Sequence, residues 1–274
     1  MQIDVRFYEE AGSVLATAGE FLRSRPVAHN MILTLLEGRM MHPEPARLWV
    51  ASRAGQVAGV VFQSPLTRPA LLVPMELDAI EALAEAIAGQ GIALPGVNGE
   101  AATAASFAGL WTELCKMPAQ PAMGLRLYEL TDLQPIRPVE GALRQAQASD
   151  RELAIRWVKE FNLEIHEPDG DFEKMADAWI ALGQIWLWEN DCPVSMAVCR
   201  KPVEGVVRVS GVYTPPELRR RGYAEACVYE LSRRSIEAGH RPILYTDLAN
   251  PISNSIYRRI GYKAVSEGLF YRFG

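Results

Sequence analysis

The sequence lacks the features that mark metal proteins, exported proteins and membrane proteins. Its four cysteines show no CxxC spacing, and its histidines show no pairing typical of zinc sites. No apolar run reaches the ~20 residues that a membrane helix requires. The first residues are acidic and lack the apolar segment of a signal peptide. These absences predict a soluble, cytoplasmic protein with no bound metal and no membrane partner.

Positive charge is also scarce. The chain has 28 Lys and Arg residues against 33 Asp and Glu residues, which gives a net charge of −5. General binding to nucleic acid usually requires a broad basic face, so this class of partner is not expected. A small anionic ligand needs only one local basic site. At 274 residues, with 49% apolar and 22% charged residues, the composition is that of one large or two modest globular domains.

The sequence does contain the same order of elements twice. LWVASRAGQVAGVVF and IWLWENDCPVSMAVC each place two apolar runs around a short turn, which predicts two β-hairpins. A helical segment precedes each hairpin, and in the second half Ser149 and Glu152 are spaced as a capping box for it. A strand, a helix, a strand and a helix follow each hairpin. The repeat predicts an α/β (α+β) fold of two tandem mixed-sheet domains flanked by helices, 1–134 and 135–274. A single continuous domain is the alternative.

The junction VYTPPELRRRGYAEA, from Val212 to Ala226, places three arginines and a glycine at a predicted helix start. Pro215 and Pro216 end the preceding strand, since neither donates a ladder hydrogen bond. Backbone N–H groups are unpaired at the positive end of a helix dipole, so arginines there are unfavourable unless an anion binds. Gly222 and Ala224 leave room for a pyrophosphate to approach the amides. We therefore predict an anion site, the alternative being a solvated basic corner.

A second motif, TDLANPISNSIYRRIGY, runs from Thr246 to Tyr262. Its Asn-Pro pair indicates a turn, and Gly261 is placed to end the short helix that follows. Asn254 and Tyr257 are three residues apart and therefore share one helix face. The pattern makes both residues candidates for a ligand site; the alternatives are a helix cap for Asn254 and a packed aromatic for Tyr257.

Together the two motifs resemble those of the GNAT acetyltransferase superfamily, which carries Q/R-x-x-G-x-G/A after a strand and N-P-x-x-N-x-x-Y-x-x-x-G-[FY] further on. The resemblance covers about Gln145 to Gly274. The first half resembles this fold only by its order of elements and lacks both motifs. The resemblance therefore implies a tandem GNAT protein whose N-terminal domain is degenerate and whose C-terminal domain is catalytic.

The resemblance also implies acetyl-coenzyme A as co-substrate. Loop amides would hold its pyrophosphate, the strand end would pair with its pantetheine arm, and an asparagine would hydrogen-bond that arm. Asn250 competes with Asn254 for this last role. The tyrosine hydroxyl would lie near the thioester sulfur, which makes Tyr257 the catalytic residue. The implied cofactor-binding residues are Val212, Tyr213, Thr214, Arg219, Arg220, Arg221, Gly222, Tyr223, Ala224 and Asn254.

The implied reaction is transfer of an acetyl group to a primary amine of a small molecule or amino-acid-like acceptor, by direct attack in a ternary complex. Amides near Val212 or Tyr213 would donate to the oxyanion, and Tyr257 would protonate the departing thiolate. The sequence assigns no general base, because the strand VVRVSGVY lacks the glutamate that the family often uses there. Candidates for the base are Glu164, His166 and Glu167. The alternative is that this acidic segment is only exposed to solvent and has no part in catalysis.

Three other functions stay open at this level. The chain could use a longer acyl chain or a protein amine, could be a catalytically silent sensor of coenzyme A, or could be an interaction module without a cofactor. The sequence also leaves open the acceptor, the role of the first half, and whether the protein is a monomer or a homodimer.

Overall fold

The structure is a computed structural model that describes residues 2–167 and 170–274. The chain forms two compact mixed α/β units. The first runs to Leu127 and also contains Thr246–Asn250 and Ala264–Gly274, and the second comprises Tyr128–Tyr245 and Pro251–Lys263. The domain boundaries predicted from the sequence, 1–134 and 135–274, stay a prediction, because a compact unit is not the same as a separately folding domain.

In the first unit, two helices precede the hairpin and a helix follows each of the next two strands. The elements are β1 (Ile3–Tyr8), α1 (Ala11–Ser24), α2 (Asn30–Met41), β2 (Arg47–Arg53), β3 (Gln56–Gln63), β4 (Ala70–Leu72), α3 (Leu77–Gly89), β5 (Gly96–Glu100) and α4 (Ala101–Cys115). The strands are ordered β1-β2-β3-β4-β5, and only β4 and β5 pair in parallel. Ala54 and Gly55, with φ of 50° and 81°, form the predicted hairpin turn.

The same order recurs in the second half of the chain. After β6 (Ala119–Leu130) come β7 (Ala142–Gln145), α5 (Arg151–Glu164), α6 (Phe172–Ala181), β8 (Ile185–Asn190), β9 (Cys192–Cys199), β10 (Val206–Tyr213), α7 (Tyr223–Glu237), β11 (Arg241–Asp247), α8 (Pro251–Ile260) and β12 (Tyr262–Phe273). The strands of the second unit are ordered β11-β10-β9-β8-β7, with only β10 and β11 parallel. In the first unit, β12 pairs with β5. The sequence pattern indicated one helix before each hairpin, whereas the structure has two.

The second unit has a separate apolar core on each face of its sheet. Val209 of β10 packs with residues of α7 and α8, including Tyr257. Tyr213 of the same strand packs with residues of α5 and α6, including Trp157. Each core buries many large side chains, and a fully buried aliphatic or aromatic side chain contributes roughly 1.5–3 kcal/mol. The two ends of β10 therefore present residues to opposite faces, a difference that matters for the site below.

The start of α5 differs from the sequence prediction. Asp150, not Ser149, closes the turn: its carboxylate accepts the backbone N–H of Gln147 at 2.8 Å and the guanidinium of Arg144 at 2.7 and 2.9 Å. A bidentate pair with arginine is a strong, charge-assisted contact, and it lowers the pKa of the Asp150 carboxyl. The predicted capping box of Ser149 and Glu152 is therefore wrong. In the part of the chain that the structure describes, no helix is long and apolar enough to cross a membrane.

Candidate active site

The start of α7 has the backbone conformation of an anion-binding loop. Gly222 precedes the helix with φ +85°, and Arg220 also has a positive φ of 64°. Among the described residues, no side chain caps the first turn of α7. The N–H groups of that turn therefore stay available at the positive end of the helix dipole. Left-handed residues beside such a turn form concave nests of N–H groups that suit anions.

The side chains around this turn leave the amides accessible. Arg220 and Arg221 are exposed at its rim. A Cβ at Gly222 would lie 3.0 Å from Cγ2 of Val139, so the glycine also permits a close approach of this segment. Glu225, the one acid in the first turn of α7, forms an ion pair with Arg259 at 2.8 Å. The loop thus fits a pyrophosphate: it offers amides and cations, and its nearby carboxylate is already paired.

Arg219 behaves differently from its two neighbours. Its Nε donates to the carbonyl oxygen of Thr214 at 2.9 Å, and its Nη2 donates to the carboxylate of Glu164 at the end of α5. The guanidinium also lies over the ring of Tyr213, 5.9 Å from the centroid. Arg219 therefore fastens the loop to α5, and Glu164, a candidate base from the sequence, is the partner of this arginine.

Replacing Glu164 with glutamine tests this fastening role. The Arg219–Glu164 pair is nearly half exposed, and such pairs contribute ~0.2–1 kcal/mol, so we expect acetyl-coenzyme A to bind up to about fivefold more weakly. If Arg219 were instead a direct phosphate ligand held back by Glu164, the same variant would bind more tightly. Isothermal titration calorimetry decides the sign, with exposed Glu152 of the same helix changed to glutamine as the matched control.

The end of β10 is open on its β11 side. The two strands pair from Val206–Arg241 to Val209–Leu244 and no further in the described chain, although β10 continues to Tyr213. Gly211 has φ +55°, and the pairing of β10 with β9 shifts register between Ser210 and Tyr213. The bulge redirects the backbone groups at the strand end, as bulges next to active sites commonly do. On the β9 side, the hydroxyl of Ser195 donates to the carbonyl of Tyr213 at 3.0 Å and fixes this end.

The second motif forms a buried polar group on α8. Asn254 and Tyr257 are only 5% and 8% exposed, and Ile260 is fully buried. The hydroxyl of Tyr128 donates to Oδ1 of Asn254 at 3.0 Å, and its ring lies 6.5 Å from that of Tyr257. Burial raises the pKa of Tyr257 to about 12. Sequence reasoning missed Tyr128, because nothing local to it signals a partner 126 residues away.

The remaining candidates lie in varied environments. Tyr223 is buried, and its hydroxyl accepts a hydrogen bond from Asn190 at 3.3 Å, so only its backbone faces the loop. Val212 is half-buried against the α7 side of the sheet.

His166 and Glu167 are exposed beyond α5, and part of that acidic segment, residues 168–169, lies outside the described residues. Within the described ranges, no group of three His, Cys, Asp or Glu side chains is placed to hold a metal ion.

The corresponding helix start in the first unit is built differently. Asp78 in the first turn of α3 accepts the N–H of Ala79 at 2.9 Å and also pairs with the guanidinium of Arg53. A carboxylate of the chain itself therefore lies where the second unit exposes amides and arginines. The sequence difference between the two junctions thus becomes a difference in charge at two otherwise equivalent helix starts.

A protein-family model matches part of the C-terminal half. Residues 196–271, which contain β10, the arginine-glycine loop, α7 and the second motif, match the family model described as FR47-like protein. No curated protein matches the chain.

Solved structures match almost the whole chain. An acetyltransferase of the GNAT family from Colwellia psychrerythraea is 11% identical, with a TM-score of 0.65 over 99% of this chain and 100% of its own. A GCN5-related N-acetyltransferase from Sphaerobacter thermophilus is 16% identical, with a TM-score of 0.65 over 98% and 95%. A tandem GNAT protein from the clavulanic acid biosynthesis pathway is 11% identical, with a TM-score of 0.58 over 98% of both chains.

The predicted resemblance is confirmed: the chain has the fold of the GNAT acetyltransferase superfamily in its tandem form, and its C-terminal half carries an FR47-like domain. The predicted fold class, two mixed-sheet GNAT-like halves flanked by helices, is confirmed with it.

Proposed function

We propose that the protein is an acetyl-coenzyme A-dependent N-acetyltransferase that acetylates a primary amine of a small molecule or amino-acid-like acceptor. The observation that carries the proposal is the start of α7. There the uncapped first turn, the left-handed Gly222 and the exposed Arg220 and Arg221 lie directly after an open strand end. The FR47-like segment and the GNAT fold support the same activity.

In this proposal the backbone from Arg219 to Ala224 binds the pyrophosphate, and Arg219 itself orders the loop. The open edge of β10 around Val212 is proposed to offer backbone groups to the amides of the pantetheine arm, in the manner of an added strand. The carbonyls of Tyr213 and Thr214 already accept hydrogen bonds from Ser195 and Arg219. Asn254, held by Tyr128, is the side chain that we assign to the same arm. The acyl group would then lie beside the bulge of β10.

The chemistry asked of the protein is modest. Backbone N–H groups at the bulge are proposed to stabilise the developing oxyanion, a contribution that is often the largest in acyl transfer. Tyr257 is proposed to protonate the departing sulfur. Its pKa of about 12 keeps the phenol protonated in the neutral range, so it is available as an acid.

A thiol-release assay with acetyl-coenzyme A and a panel of amino acids, polyamines and arylalkylamines tests the proposal, together with calorimetry of cofactor binding. Turnover with an amine supports the enzyme. Saturable binding with no turnover on any amine or protein acceptor indicates a coenzyme A sensor. The absence of binding would remove the proposal altogether and favour an interaction module.

A further inference from the structure

We propose that the hydroxyl of Tyr213, hydrogen-bonded to Glu160, accepts the proton of the attacking amine and passes its own proton to Glu160. The inference rests on the proposed function and supplies the base that the sequence leaves unassigned. It starts from one contact on the α5 face of the second unit. Oη of Tyr213 donates to Oε2 of Glu160 at 2.9 Å, joining the end of β10 to α5.

Contacts with neighbouring side chains fix the orientation of the Tyr213 ring and therefore the direction of its hydroxyl. Trp157 packs against it at 6.2 Å with an interplanar angle of 56°, and the Arg219 guanidinium covers it at 5.9 Å. The residue is 4% exposed, whereas Glu160 is half-buried and reachable from solvent. Among the described residues, Tyr213 is the one hydrogen-bond donor to the Glu160 carboxylate, which keeps a second oxygen for a further proton or donor.

The position of this pair on the sheet fits the side from which an amine would arrive. The loop amides and Tyr257 belong to the α7 and α8 side, where the coenzyme is proposed to bind. Tyr213 and α5 belong to the opposite core. An acceptor that attacks an acyl group at the open strand end therefore meets it from the face that carries Tyr213 and Glu160.

The proton balance of the step is closed. The amine nitrogen uses its lone pair to form the N–C bond, and the C–S bond breaks, so that the sulfur takes the bonding pair and the proton of Tyr257. The nitrogen becomes acidic as the N–C bond forms, and its proton moves to Oη of Tyr213 while the original phenol proton moves to Oε2 of Glu160. Glu160 then loses this proton to solvent, and solvent reprotonates Tyr257. The raised pKa of Tyr213, about 12, which burial and Glu160 cause, keeps the phenol neutral between turnovers.

The test compares Glu160→Gln, Tyr213→Phe and the double variant, with Glu152→Gln at the exposed start of α5 as control. We expect kcat to fall about 100-fold in each single variant, at the low end of general acid–base effects. The double variant should fall no further, because the two groups act as a unit. The dissociation constant of acetyl-coenzyme A, measured by calorimetry, should stay within about twofold of the wild type, since neither change removes a proposed cofactor contact.

The pH profile gives a readout that a merely structural role would not move. A relay that ends on an ionised carboxylate should produce a loss of kcat on the acid side, and this limb should be absent from Glu160→Gln. The other charged groups beside the pair are Glu164 and Arg219, which bind each other. On α6, Asp177 and Glu173 pair with Arg151 at the far end of α5.

Three outcomes would overturn the relay. If kcat is unchanged and thermal stability falls, the contact between Tyr213 and Glu160 only stabilises the end of β10. Losses that multiply in the double variant show that the two residues act independently. An acid limb that survives in Glu160→Gln assigns the base elsewhere. If wild-type protein binds acetyl-coenzyme A but turns over no amine, the proposed function fails first, and the relay falls with it.

Discussion

Acetyl-coenzyme A should not bind to the Gly222→Glu variant, and the variant should remain folded. The new carboxylate would lie at the opening of the first turn of α7, where the backbone amides and the helix dipole are proposed to bind the pyrophosphate. It would both occupy that space and repel the phosphates. We expect the affinity to fall by at least 100-fold, to below detection in a calorimetric titration, because charge repulsion and blocked amides act together.

The matched control for this variant lies at the other end of the same helix. Gly239 follows α7 with φ +79°, close to the +85° of Gly222, and a Cβ there meets no atom within 4 Å. Gly239→Glu therefore carries the same backbone strain, about 1–2 kcal/mol, without touching the proposed site. It lacks the 3.0 Å contact that a Cβ at Gly222 makes with Cγ2 of Val139, so the thermal melts of the two variants are compared before their binding. Thermal melts should show both variants folded, and only Gly222→Glu should lose binding.

Undiminished binding by Gly222→Glu would contradict the site itself. The arginine run would then be a basic corner exposed to solvent, and the likeness to acetyltransferases would concern the fold alone. Equal loss in both glycine variants would point to strain in α7 rather than to a blocked pyrophosphate.

The local structure around the candidate site that the sequence predicted is set by residues close together in the chain. Pro215 and Pro216 end β10, and α7 starts directly after Gly222, close to the predicted start; both constraints act within a few residues. The hairpin turn at Ala54 and Gly55 is readable for the same reason. Element order then followed, because strands and helices separated by such turns leave few ways to arrange the chain.

What the sequence did not reveal depends on partners distant along the chain. Arg219 reads as a phosphate ligand in its motif, yet its guanidinium binds Glu164, 55 residues away. The capping box forms two residues earlier than predicted, with Gln147 in the role predicted for Ser149 and Asp150 in the role predicted for Glu152. Arg144, on the neighbouring strand, also pairs with the Asp150 carboxylate. In both cases a charge-assisted hydrogen bond to a residue elsewhere in the fold decides the role of the side chain, and the sequence alone does not show which residues lie within reach.

The two halves of the chain share their order of elements but differ in the charge at one helix start. Both place a helix after a short strand, so the fold is repeated, but the helix starts carry opposite charge. Asp78 completes the first turn of α3 from within the chain, whereas α7 exposes its amides beside Arg220 and Arg221. We therefore expect one coenzyme per chain, bound by the second half, and a calorimetric stoichiometry near two would contradict this assignment.

Replacing Tyr257 with phenylalanine should lower kcat by roughly 10²- to 10⁴-fold, because it removes the proposed acid. It also removes the hydrogen bond between the Tyr257 hydroxyl and Ser253. The ring would keep its contacts with Tyr128 and Tyr262, 6.5 and 6.2 Å away, so acetyl-coenzyme A should bind almost as before. Tyr262→Phe is the control, since it deletes an equally buried hydroxyl that bonds Ser232 at 2.8 Å and has no proposed part in chemistry. That variant should lose stability of about 1 kcal/mol and keep its kcat. Equal kcat in the two variants would make Tyr257 a packed aromatic and leave the thiolate to be protonated by another group.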